Sequence, residues 1–153
     1  LVHPSSIVHS FVEFRDGSTL AQLGLPTMEL PILYALSAPE RLADDSEDAE
    51  PFDPIAAGPL EFEPLRRDAF PMFELGVEAG RAGGTTPAAY SAANEVAVAA
   101  FLRDEIGFPD VARAVEGVVS GWDFGAAASV PEVAEADAEA RRRARERVAR
   151  LRR

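Results

Sequence analysis

Two histidines and two serines, His3, Ser5, Ser6 and His9, fall within the first nine residues. They are the side chains of this chain best suited to chemistry. An imidazole titrates near neutrality, so it can hydrogen-bond, ligate a metal or carry a proton. His3 and His9 are six residues apart on a bent strand, where their rings diverge, and as a pair they make a poor metal site. His9 alone is the stronger candidate, weighed against a merely hydrogen-bonded place on a mixed face. Ser5 and Ser6 could hold an anion, although capping the strand is the simpler use. Met28 fills an irregular gap more readily than it touches a cofactor. The run Asp44, Asp45, Glu47, Asp48 and Glu50 offers oxygens to a hard cation, but such a site needs them held rigidly and convergent. Asn94 and Glu95 sit inside an otherwise apolar helix, where polar groups need partners; they read as hydrogen-bonding residues that join helices.

Other chemistries are excluded by composition. The 153 residues contain no cysteine, which removes disulfides, thiolate zinc sites and thiol catalysis. All 15 basic residues are arginine, so no lysine base, Schiff base or phosphate-loop lysine is present. There is no glycine-rich phosphate loop, no HExxH and no cluster spaced for a metal. Residues 141–153 hold eight arginines and one acid, within a chain of net charge −11. So acidic a body repels nucleic acid and anionic membranes, and a solvated Arg face is the plainer reading of the last helix. No apolar run approaches the ~20 residues a membrane-spanning helix needs. The chain opens Leu1-Val2-His3-Pro4 without a signal-like segment; the expectation is that an N-terminal portion is missing.

The elements that must position these residues follow from pattern. Residues 6–14 and 19–23 are strand-like runs about Asp16-Gly17, a hairpin signal. A two-residue turn pairs Arg15 with Ser18. It then places Val8, Val12 and Phe14 with Thr19, Ala21 and Leu23 on a core face, sets His9 opposite Gly24, and leaves His9 near Met28. Glu29 to Ser37 reads as a short helix stopped by Pro39. Residues 43–59 read as an irregular acidic linker, with a possible extended piece at Leu60 to Glu63. Pro71 to Arg81 is helical. A second helix of about 20 residues starts at Thr86-Pro87 and ends at Gly107. A third starts at Pro109-Asp110 and stops near Gly121. The last starts at Asp137 as N-cap, with Ala140, Ala144, Val148 and Leu151 as its apolar stripe. The fold class is α+β: a partial sheet (β-hairpin plus short helix), an acidic linker and a C-terminal four-helix bundle.

Two blocks resemble the 1-deoxy-D-xylulose 5-phosphate reductoisomerase family. The first is His3-Pro4-Ser5-Ser6-Ile7-Val8-His9-Ser10 with Asp16-Gly17-Ser18, Ala21-Gln22-Leu23-Gly24, Pro26 and Met28. The second is Phe70-Pro71, Glu78 to Gly84, and Ala92-Ala93-Asn94-Glu95-Val96-Ala97-Val98-Ala99-Ala100-Phe101-Leu102. Ser5, Thr27, Glu29 and Ser91 depart from the residues common at those places in the family.

The resemblance implies the C-terminal part of an enzyme of non-mevalonate isoprenoid biosynthesis. Residues 1–42 would end the catalytic α+β domain, 43–69 would be the linker, and 70–153 the helical bundle domain. It implies an NADP-dependent oxidoreductase and isomerase that uses NADPH and Mg²⁺ or Mn²⁺, with the metal ligands and the nucleotide-binding segment absent from this chain. Its partners would be the missing N-terminal portion of the same enzyme, a small phosphate substrate and a second copy in a cytoplasmic homodimer. His9 would shape the site, Ser6 would bind substrate, and Pro26 and Met28 would approach the nicotinamide. The chain alone would then be inactive. An autonomous, non-enzymatic helical interaction module is the alternative.

Overall fold

Proline marks where helices begin in this chain. Each of α2 (Pro54–Ala57), α3 (Pro71–Ala82), α4 (Thr86–Phe101), α5 (Phe108–Val119) and α6 (Val130–Leu151) carries one in its first two positions. There the missing N–H removes a donor that had no intrahelical acceptor, and the fixed φ is already helical. The computed structural model describes residues 1–43, 51–123 and 125–152; the acidic run Asp44 to Glu50 lies outside the described residues. Two compact units are formed, Leu1–Leu65 and Arg66–Arg153.

The first unit holds β1 (Val8–Glu13) and β2 (Thr19–Leu23), an antiparallel pair, followed by α1 (Glu29–Ser37). The hairpin register is one residue away from expectation. Glu13 pairs with Thr19 and Val12 with Leu20, because the connection is a three-residue loop. Gly17 N–H donates to Phe14 O at 3.0 Å and Phe14 N–H to Ser18 O at 2.8 Å, with Gly17 at φ +85°. This is a turn closed by a left-handed glycine, a form that also favours Asp-Gly. The slip exchanges faces: Val12 now stands beside Leu20, and Phe11 beside Ala21. Neither face forms the expected core, for Val12, Phe14 and Leu20 are all exposed. The extended piece at Glu63 pairs with Val2 through two backbone bonds of 2.8 and 2.9 Å. It is joined there by the His3 ring stacked on Phe62, centroids 4.7 Å apart.

The second unit is the bundle α3–α6. α4 packs on α3, α5 and α6, and α5 packs also on α3 and α6. Alanine makes this possible. Ala89, Ala92, Ala93, Ala97 and Ala100 on α4 meet Ala140, Ala144 and Val148 of α6 within one buried cluster. Side chains this small let backbones approach toward the short end of the usual 8–10 Å interaxial range. Val111, Ala114, Val115 and Val118 of α5 fill the remainder of the core.

Two boundaries differ from the pattern reading. α4 stops at Phe101, because the chain turns through Asp104 at φ +57° before Ile106 re-enters the core. α6 starts at Val130, seven residues before Asp137. Ser129 Oγ accepts from Glu132 N–H at 3.4 Å and Glu132 Oε2 accepts from Ala128 N–H at 2.9 Å, a reciprocal cap. Asp137 lies within the helix and accepts from Arg141 Nε at 2.7 Å.

Candidate functional site

The hairpin end and α1 frame the residues singled out for chemistry. β1 and β2 run in register from Glu13↔Thr19 to Ser10↔Gln22, but the next pair is Val8↔Leu23. His9 is therefore the extra residue of a β-bulge. Bulges bend a strand and re-aim a side chain, and they recur next to active sites. Beyond it Gly24 N–H donates to Ile7 O at 3.0 Å. Gly24 is buried, and a Cβ built there would lie 3.8 Å from Gln22 Nε2 and 3.9 Å from His9 Cε1. Imidazole and amide thus flank the same bare glycine, close to the expected His9–Gly24 opposition.

Two clefts meet at His9. One, of about 430 Å³, lies between the hairpin and α1 and takes in Gln22, Leu30, Tyr34 and Arg41. The other, of about 460 Å³, takes in His3, Ser6 and Phe11. Ser6 and His9 therefore share a cleft. Ser6 has φ +53°, a left-handed backbone that a non-glycine residue adopts at a cost of about 1–3 kcal/mol and that recurs at ligand sites. Its N–H donates to His3 O at 3.0 Å.

His3 is occupied structurally. Its Nδ1 lies 2.7 Å from Glu61 O, which can only accept, so Nδ1 donates. Nε2 lies 3.0 Å from the Ser5 hydroxyl, within hydrogen-bond distance. His3 and His9 border the same cleft.

Pro26 and Met28 lie on the connection from β2 to α1. Both are exposed, Met28 at 68%, and neither lines the two clefts at His9. Thr27 supports the start of α1, its Oγ1 accepting from Glu29 N–H at 3.2 Å. Arg41 and Tyr34 were not anticipated as site residues. The Arg41 guanidinium stands 4.7 Å from the Tyr34 ring centroid and adds a cation to the lining of the cleft that His9 borders. A lone arginine after Pro39 carries no signal in sequence that would select it.

Imidazole, amide and guanidinium around one cleft suit an anionic or hydroxyl-rich ligand, by hydrogen bonding and charge. Among the described residues no three of His, Asp, Glu or Cys converge as a cation would need. The described residues therefore do not by themselves fit a divalent metal, and no glycine-rich loop is present to cradle a dinucleotide. In the bundle, Glu95 finds its partner in Arg141 of α6, Oε2 accepting from Nη2 at 2.8 Å; this joins α4 to α6. Asn94 is half-buried beside it.

Comparison with known proteins gives this site a context. A family described as the DXP reductoisomerase C-terminal domain matches residues 23–143. The 1-deoxy-D-xylulose 5-phosphate reductoisomerase of Cupriavidus pinatubonensis is 50% identical over 145 residues, which is 95% of this chain and 36% of the relative. That of a Synechococcus species is 49% identical over 142 residues, 93% of this chain and 36% of the relative. The structure of the reductoisomerase from Zymomonas mobilis in complex with NADPH superimposes with a TM-score of 0.84 at 40% identity. It covers 95% of this chain and 38% of that one. A DOX-P reductoisomerase structure in complex with NADPH, fosmidomycin and magnesium gives 0.80 at 35% identity, covering 97% of this chain and 38% of that one. The chain thus spans little more than a third of the length of the relatives it matches, and the α+β architecture is shared with them. It belongs to the 1-deoxy-D-xylulose 5-phosphate reductoisomerase family, and the matched region is that family's C-terminal domain.

Proposed function

We propose that this chain serves as the C-terminal third of an NADPH- and Mg²⁺-dependent reductoisomerase. The enzyme would convert 1-deoxy-D-xylulose 5-phosphate to 2-C-methyl-D-erythritol 4-phosphate in isoprenoid biosynthesis. The observation that carries the proposal is the match itself: nearly the whole chain aligns, onto little more than a third of each relative. Residues 1–42 would complete the catalytic domain, 43–69 would connect, and 70–153 would brace it as a helical bundle. When bound, NADPH would supply hydride and Mg²⁺ (or Mn²⁺) Lewis acidity.

The chain's own residues would do something narrower. His9, turned by its bulge, would hold a substrate oxygen by hydrogen bond and shape the pocket wall. Ser6, in the same cleft, would add a hydroxyl. Pro26 and Met28, on the exposed connection into α1, would form the edge against the nicotinamide. The whole enzyme would act as a cytoplasmic homodimer.

The test is a splice. This chain is joined after the corresponding upstream portion of the Zymomonas mobilis relative, and NADPH oxidation is followed with 1-deoxy-D-xylulose 5-phosphate. The spliced enzyme is expected to turn over and the isolated chain is not. Turnover by the isolated chain, or a spliced protein that binds NADPH yet never oxidises it, overturns the proposal.

A further inference from the structure

α6 carries an arginine ladder whose charges are unevenly answered. Arg141 is held by Asp137 and Glu95, Arg142 by Glu139 and Glu146, Arg143 by Glu139, and Arg152 by Glu105. Arg147 and Arg150 pair with no carboxylate among the described residues. Arg143, Arg147 and Arg150 recur at i, i+4 and i+7, so they lie along one face of the helix. That face borders a groove of about 370 Å³ floored by Gly117 and Gly121 of the α5 end.

The groove is built around these side chains. Arg147 lies on Gly117, where a Cβ would come within 3.0 Å of its Nε and 3.1 Å of its Cδ. Arg143 is fixed from two sides, its Nε donating to Glu139 at 2.7 Å and its guanidinium 5.1 Å from the Trp122 ring centroid. Glu146 is the one acid at the rim, and Arg142 answers it. Two fixed guanidinia and two without a carboxylate therefore surround one concavity, in a protein whose net charge is −11. The groove on the other side of α6, between α4 and α6, makes the contrast. There Arg103, Arg141 and Arg152 are each paired with acids, and Arg145 alone is not.

We propose that the α5–α6 groove binds a phosphate-bearing anion, gripped by Arg147 and Arg150 and oriented by Arg142 and Arg143. Guanidinium offers planar, paired donors that match phosphate oxygens, and it cannot lose its charge in the accessible pH range. The volume suits a pyrophosphate or a small phosphomonoester. The groove shares no lining residue with the clefts at His9, and the inference does not depend on the catalytic proposal.

The test uses calorimetric titration of the full chain with pyrophosphate and, separately, with ribose 5-phosphate, at low ionic strength. Saturable one-to-one binding of either probe is expected, weakening as NaCl is raised. The two arms distinguish a free inorganic ligand from an organic ester. R147Q/R150Q should lower the affinity at least ~10-fold, as loss of charge-assisted hydrogen bonds requires, while R145Q should leave it unchanged. Gly117→Ala tests the geometry without weakening the helix, since alanine is the better helix former. It should displace Arg147 and reduce affinity without lowering the melting temperature. Absence of saturable binding by either probe overturns the proposal, as does an unaltered affinity in R147Q/R150Q or in the folded Gly117→Ala protein. So does an equal loss in R145Q, which would mark a diffuse attraction to the Arg-rich helix.

Discussion

At the scale of single residues, backbone conformation singles out positions that composition cannot. Gly84 has φ +55°, and a Cβ there would stand 2.6 Å from Gly125 O. Next to it, buried Thr85 accepts from Trp122 Nε1 at 3.0 Å, so the α3–α4 corner is tied to the segment after α5. Gly84→Ala combines left-handed strain with a backbone clash, and should destabilise the bundle by about 2–3 kcal/mol, read in urea denaturation. His9 presents the opposite case. It is exposed, so removing its ring leaves no cavity. In the spliced enzyme His9→Ala should therefore keep the melting temperature while lowering kcat/KM by roughly 10- to 100-fold, the worth of one charge-assisted hydrogen bond. Equal loss of melting temperature and rate would assign it a purely structural place. The identity of His9 as a candidate was legible, since it is one of two histidines and lies in a strand pattern. Its presentation by a bulge was not, because a bulge is a property of two paired strands and no local run of residues encodes it.

Among the elements, the boundaries of α1 follow directly from local signals, whereas those of α4 and α6 do not. α1 begins and ends at the expected Glu29 and Ser37. For α6 the sequence pattern points to Asp137 as the cap, whereas the structure uses Ser129, with Pro131 and Glu132 behind it. The earlier one holds because it satisfies backbone donors reciprocally, whereas Asp137 gains more from Arg141 one turn below. α4 is shorter than its sequence pattern implies because Leu102 and Ile106 continue its apolar rhythm through a turn. The hairpin forms about Asp16-Gly17 with a register one residue from the two-residue-loop expectation, since Asp-Gly serves both two- and three-residue loops. Ser129→Ala should thus cost about 1 kcal/mol, visible as fraying of the first turn of α6 in amide exchange.

The same helix carries an acid-range signature. Hydrogen bonds from Arg142 and then Arg143 lower the Glu139 carboxyl from 4.5 to about 2. A depressed folded value means stability that is fully present above pH 4.5 and is lost as the pH falls toward about 2. The melting temperature of Glu139→Gln should therefore fall less steeply than that of the parent between pH 5 and pH 2. Parallel profiles would show that these exposed ion pairs are screened away by solvent.

For the molecule as a whole, the distribution of buried surface decides what stands alone. Every buried apolar side chain among the described residues lies between Ala79 and Val148, inside the second unit. In the first unit Gly24 is the one buried residue among those described. Its large apolar side chains are half-buried or exposed, with Leu20 at 64% and Leu36 at 83% among the most exposed. A two-stranded sheet also leaves both outer strand edges unpaired, a template for association. About 25 cal/mol per Å² of buried apolar area is what opposes chain entropy, and the first unit buries little of it. The bundle meets that requirement within residues 66–153, where α4 is enclosed by α3, α5 and α6. A protein of residues 66–153 should therefore fold alone, keep helical circular dichroism, and melt within ~4 °C of the bundle transition in the full chain. That interval corresponds to roughly 1 kcal/mol for a unit of this size. Residues 1–65 alone should give no cooperative transition and should bind a hydrophobic dye. In the spliced enzyme the same apolar surface would be covered by the upstream portion, so dye binding should disappear and a second cooperative transition should emerge. A bundle that unfolds when 1–65 are removed would place essential packing outside the cluster built on Ala93, Ala97, Ala140 and Ala144, and would require a different account of what holds the chain together.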